Sequence, residues 1–139
     1  MEKYGLVPQQ DEWGCGAACV ASLLGISYAR AKKRLEAIKR KPLDSEPEGL
    51  EIHEIWMCLA EEELHYIAVW QEPKKYVPGT IACIHGESPY DGYHYLLMTP
   101  YGWMDPYSNM DSQEDDYRSS IYRQSFPVGT SLSVALVPR

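Results

Sequence analysis

The chain has 139 residues, enough for one domain (residues 1–139) around a single core. Its 13 basic residues against 20 acidic ones leave a net charge of −7, which argues against nucleic acid as a partner. No run of about 18 apolar residues marks a membrane span, and the opening Met-Glu-Lys-Tyr-Gly-Leu-Val-Pro lacks the apolar core of a secretory signal. A cytoplasmic address is therefore expected, and with it reduced thiols at the four irregularly spaced cysteines.

Val7-Pro8-Gln9 reads as extended, because a proline disfavours helix at the residue before it. Cys15 then sits between Gly14 and Gly16, where a loop gives way to small apolar residues through Leu24. That run carries no charge and predicts a helix buried on all sides, stopped by Gly25. A cysteine at its start lies in the positive field of the helix N-terminus, which favours thiolate, the nucleophilic form.

Ser27 is placed to cap a second helix whose stripe is Tyr28, Ala31, Leu35 and Ile38. Residues 30–41 hold seven of the 13 basic residues and one acid, Glu36, and read as a solvated helix face. A polar loop with two prolines precedes a third helix over residues 50–63, with Ile52, Ile55, Trp56 and Leu59 facing inward.

After Leu64 the periodicity changes. Strands are predicted over residues 65–70, 79–84 and 93–98, with a turn at 99–102 and a fourth strand beginning at Trp103. The acidic stretch 111–116 reads as a surface loop, and residues 121–125 and 132–137 close the chain as strands. Helices first and strands afterwards predict an α+β fold, with N-terminal helices packed on a mainly antiparallel sheet.

A cysteine nucleophile needs an imidazole to take its proton, a group to orient that imidazole, and donors for the developing oxyanion. Of His53, His65, His85 and His94, the last has the best surroundings. An even-length turn at 99–102 pairs Met98 with Trp103, Leu97 with Met104 and Leu96 with Asp105. Side chains alternate along a strand, so His94 and Asp105 share a face as diagonal neighbours, roughly 7 Å or less between β-carbons. An odd-length turn would separate them. Each residue also has an ordinary reading: a core cysteine, a satisfied strand histidine, an Asp-Pro turn. Together, Gln9, Cys15, His94 and Asp105 supply every role that acyl transfer requires.

Gln9 six residues before Cys15-Gly16, a small-residue helix, then His94 and an Asp105-Pro106 step resemble the papain-like cysteine peptidases. The likeness is greatest to the C39 group, which processes bacteriocin leaders, and to its stand-alone C39-like relatives. It implies a papain-like fold and a thiol protease, with Cys15 as nucleophile, His94 as base and Asp105 orienting His94. It also implies that the Gln9 amide joins the Cys15 backbone N–H in the oxyanion hole. Two departures are Gly14, where many relatives carry a polar residue, and Tyr93, where glycine is common, with Gly92 one position further back.

Eleven tyrosines against one phenylalanine suit half-buried strands, and some of them, Tyr93 among them, could line a cleft for an extended peptide. Trp13 and Trp103 could wall that cleft beside Gly14, or serve as core aromatics. No cofactor or metal is expected: Cys15 and Cys19 can share a helix face, but no Cys-x-x-Cys or histidine spacing completes a zinc site. The leading expectation is a hydrolase acting on a peptide or protein substrate. Acyl transfer and deamidation use the same acyl-enzyme, and a non-catalytic interaction module on the same scaffold is the other class.

Overall fold

The computed structural model describes residues 2–110 and 119–139; the acidic stretch 111–116 lies outside them. Among the described residues three helices come first: α1 (Cys15–Leu24), α2 (Tyr28–Lys39) and α3 (Ile52–Glu61). Six strands follow: β1 (Tyr66–Val69), β2 (Ile81–Gly86), β3 (His94–Thr99), β4 (Gly102–Asp105), β5 (Ile121–Arg123) and β6 (Thr130–Pro138). They form one antiparallel sheet in the order β1-β6-β2-β3-β4-β5. The fold is α+β. None of the described helices is long and apolar enough to cross a membrane.

The helix ends follow from local chemistry. Gly25 closes α1 in the left-handed region, its N–H reaching the Ala21 carbonyl. The Ser27 hydroxyl caps α2 by accepting the Arg30 N–H at 3.2 Å. The Glu51 N–H donates to the Glu54 carboxylate at 2.8 Å and starts α3.

Every residue of α1 except Leu24 is buried, as its uncharged sequence requires. The helix packs on β3 and α2. Gly16 permits the approach, because a β-carbon there would stand 2.9 Å from Leu50 Cδ1 and 3.2 Å from Ile55 Cδ1. The main core joins all three helices to Ile81, Cys83, Tyr95, Leu97, Met104, Val134 and Leu136 of the sheet. A second cluster alternates with these strand positions: Ala82, Ile84, Leu96 and Trp103, with Tyr76, Met98 and Phe126 packed against them.

Trp56 departs from its expected inward position. It is 45% exposed, while Ile55, Cys58 and Leu59 fill the core beneath α3. Its indole N–H donates to the Tyr66 carbonyl at 3.1 Å, so the ring lies along the surface between α3 and β1.

Candidate active site

Residues 99–102 form a tight turn between β3 and β4, with Leu97 opposite Met104, Met98 opposite Trp103 and Thr99 opposite Gly102. This is the even register. It carries His94 and Asp105 to one face, where the imidazole Nε2 donates to Asp105 Oδ1 at 2.7 Å. A carboxylate only accepts, so Nε2 carries a proton toward Asp105, and Nδ1 is the ring nitrogen left for a second partner.

Asp105 is fully buried and accepts two further hydrogen bonds. Oδ1 also accepts the Tyr107 backbone N–H at 3.0 Å, and Oδ2 accepts Arg123 Nε at 2.6 Å. Burial alone would raise its pKa, but the His94 charge, the His94 hydrogen bond, the Tyr107 N–H and Arg123 together hold it below the ordinary carboxylate value. Burial works against a charged His94 as well. The Asp105 charge and hydrogen bond outweigh it and hold the imidazole above its ordinary value. Cys15 adds to this: through side-chain contact and through charge it too favours the protonated ring.

Cys15 is the first residue of α1 and is 8% exposed. It opens onto a cavity of about 350 Å³ whose walls include Leu50, Ile52, Tyr95 and Val134, with Trp13 and Tyr93. Trp13 is wedged between two glycines from different loops: a β-carbon on Gly92 would stand 2.9 Å from its ring, and one on Gly49 would stand 3.6 Å away. The indole thus bridges the helical half and the sheet half beside the thiol. A larger hollow of about 460 Å³ lies by Trp56, His65, Tyr66 and Arg139. Cys15 borders the smaller cavity and not this one, and His94 lines neither.

Gln9 is buried in the same region. Its backbone N–H donates to the Pro106 carbonyl at 3.1 Å, tying the loop before the cysteine to the turn after Asp105. Its amide Nε2 donates to the Asp11 carbonyl at 3.0 Å and the Glu12 carbonyl at 2.8 Å. Both amide hydrogens are thus engaged by the loop, and serving an oxyanion requires one to be released. The Cys15 backbone N–H, at the first helical position, has no partner within the helix.

Tyr93 borders the cavity and is 51% exposed. Its φ of 67° and ψ of 149° lie in a region that non-glycine residues rarely adopt. Gly14 is buried between Asp11, in the loop before Cys15, and Tyr28 of α2. Trp103, by contrast, is not a cleft wall. It is 3% exposed and packs edge-on to Tyr76 at 4.9 Å and against Phe126 at 5.1 Å. Strand alternation directs it into the second cluster, which holds no helical residue.

The other histidines stand apart from Asp105. His53 pairs with Glu51 at 3.2 Å, His85 is exposed with its ring 5.6 Å from Tyr93, and His65 is exposed. Arg123 is a site residue that the sequence reading missed. The usable signal was strand alternation in residues 121–125, which puts Arg123 on one face with Ile121, the residue opposite Asp105. Tyr90 was missed as a neighbour of His94, its ring 5.9 Å away. No protein-family model matches the chain, and no curated protein sequence matches it.

Proposed function

We propose that the chain is a cysteine-dependent hydrolase of the papain-like, C39-like kind, acting on a peptide or protein substrate. The observation that carries this reading is the buried His94–Asp105 pair with Cys15 as the third group acting on the imidazole. A buried ion pair does not add much stability over apolar packing, whereas a carboxylate behind the imidazole is what the histidine of a thiol hydrolase requires.

In this reaction His94 holds the Cys15 proton on Nδ1 as an imidazolium, and the thiolate Sγ attacks the scissile carbonyl carbon. The oxyanion forms at the Cys15 backbone N–H, with Gln9 as a second donor once it leaves one loop carbonyl. The imidazolium, held by Asp105, returns its proton to the departing amine, which leaves a thioester on Cys15. Water, deprotonated by His94, hydrolyses the thioester and restores the thiol. The apolar walls Leu50, Ile52 and Val134 suit an aliphatic or aromatic side chain of the substrate. A cytoplasmic address goes with this reading, since the four cysteines are free thiols.

Cleavage of a random peptide library, with the wild-type chain beside Cys15→Ala, tests the proposal. Cleavage products confined to the wild type are expected. Identical profiles from both would refute it.

A further inference from the structure

Gly14 precedes the nucleophile, and its backbone sets the direction of the Cys15 N–H. Glycine has no β-carbon to restrict that rotation, so external contacts must do so. Its N–H donates to the Asp11 carbonyl at 3.1 Å, and its carbonyl accepts the Ala18 N–H at 3.0 Å. The third contact comes from another helix: a β-carbon on Gly14 would overlap the Tyr28 hydroxyl. The phenol of α2 thus occupies the space that a side chain at position 14 would take.

That hydroxyl is anchored. Tyr28 is 4% exposed and donates to Asp11 Oδ2 at 2.6 Å, while Lys32, one turn further along α2, holds Asp11 Oδ1 at 2.9 Å. The Asp11 carbonyl in turn accepts from Gln9 Nε2 at 3.0 Å. On the far side of the loop, the Trp13 N–H donates to Asp44 at 2.9 Å. The loop before Cys15 is therefore clamped, and its contact at the nucleophile's shoulder is a phenolic oxygen.

We propose that Tyr28 is a positioning residue of the thiol site: seated against the Gly14 α-carbon and bonded to Asp11, it fixes the peptide that presents the Cys15 N–H to an oxyanion. This rests on the thiol-hydrolase reading above. It makes Gly14 and Tyr28 a matched pair, in which glycine leaves room and tyrosine fills it. Tyr28 touches no reacting atom and acts through the loop.

Two reagents separate this role from a merely structural one. Iodoacetamide alkylates Cys15 Sγ with loss of iodide and forms no oxyanion. p-Nitrophenyl acetate acylates the same sulfur: Sγ adds to the acetyl carbonyl, an oxyanion forms, p-nitrophenolate leaves, and an acetyl thioester remains. In Tyr28→Phe, alkylation of Cys15 should stay within about twofold of wild type while acylation falls about tenfold, on the scale by which small misplacements reduce rates.

Gly14→Ala should impair acylation further. Gly14→Ala with Tyr28→Phe should recover part of that loss, because the remaining neighbours of the new β-carbon are Tyr28 Cζ and the Asp11 carbonyl oxygen, each at 3.1 Å. Acylation of Tyr28→Phe within twofold of wild type, an equal fall in both reactions, or a double variant no better than Gly14→Ala would overturn the inference alone. Wild-type Cys15 reacting no faster than Cys19, Cys58 and Cys83 would overturn the thiol site, and this inference with it.

Discussion

His94 Nε2 donates to Asp105 Oδ1 at 2.7 Å, and the two side chains are 1% and 0% exposed. An isolated buried charge is costly, so each holds the other in its ionised form. Removing one partner strands the other. Asp105→Asn should lower acylation of Cys15 by about a hundredfold or more, through loss of the charge that holds and orients the imidazolium beside the thiol. Asp105→Ala should destabilise the fold by about 3–5 kcal/mol as well, since His94 and Arg123 both lose their acceptor. Chemical denaturation beside ester kinetics separates the two effects.

The same pair sets a pH dependence of stability. The folded-state pKa of His94 is raised above the ordinary 6.5. Its contribution is therefore fully present below pH 6.5 and fades as pH rises through the folded value. The folded-state pKa of Asp105 is lowered from 3.8, so its contribution is present above pH 3.8 and fades as pH falls through the folded value. Buried Cys19 and Cys83 have thiols raised above 9.0 and begin to weaken the fold only beyond that pH. Urea denaturation between pH 6.5 and 9.0 should show declining stability in the wild type. His94→Asn, less stable throughout, should lack most of that slope. Arg123→Met removes one group that keeps Asp105 ionised and should move the acid limb to higher pH.

Tyr93 adopts a positive φ at the rim of the cavity. Such conformations cost about 1–3 kcal/mol in non-glycine residues. Tyr93→Gly should therefore stabilise the fold by about 1 kcal/mol, after the extra chain entropy of glycine is counted. The transition temperature should rise by roughly 3 °C. The exposed ring leaves the cavity in that variant, so peptide aldehydes should bind more weakly. Calorimetry and inhibitor titration should move in opposite directions.

Trp13 and Trp103 should separate cleanly. Trp13→Ala opens the wall beside Cys15 and removes the wedge between Gly49 and Gly92, so peptide binding should fall before stability does. Trp103→Ala empties the cluster around Tyr76 and Phe126. It should cost about 3–5 kcal/mol, with ester acylation by the folded fraction close to wild type. Denaturation curves paired with kinetics check both.

The hairpin was legible in the sequence because a short turn sets the register and strand alternation then sets the faces. The register by itself places His94 beside Asp105. The helices were legible through Gly25 and Ser27 at their ends, the uncharged run of α1 and the apolar stripe of α3, whose Glu51–Glu54 cap was not. The strand order was not: β6 lies between β1 and β2, and nothing in local periodicity encodes a pairing across some fifty residues. Arg123 was missed for a similar reason, since it reaches Asp105 from a strand eighteen positions away. Trp56 and Trp103 show the limit of pattern reading for large aromatics. Both fit an inward or a cleft position by spacing, and only packing decides. The engagement of the Gln9 amide by loop carbonyls is likewise invisible to spacing.

The proposed function requires Cys15 to be an activated thiol served by His94. Timed alkylation of the folded protein with iodoacetamide, read site by site by mass spectrometry, tests it most directly. Cys15 should react at least about a hundredfold faster than Cys19, Cys58 and Cys83, and His94→Ala should remove that advantage while near-ultraviolet circular dichroism shows the fold retained. Equal reactivity of the four thiols, or an advantage at Cys15 that survives loss of His94, would contradict it.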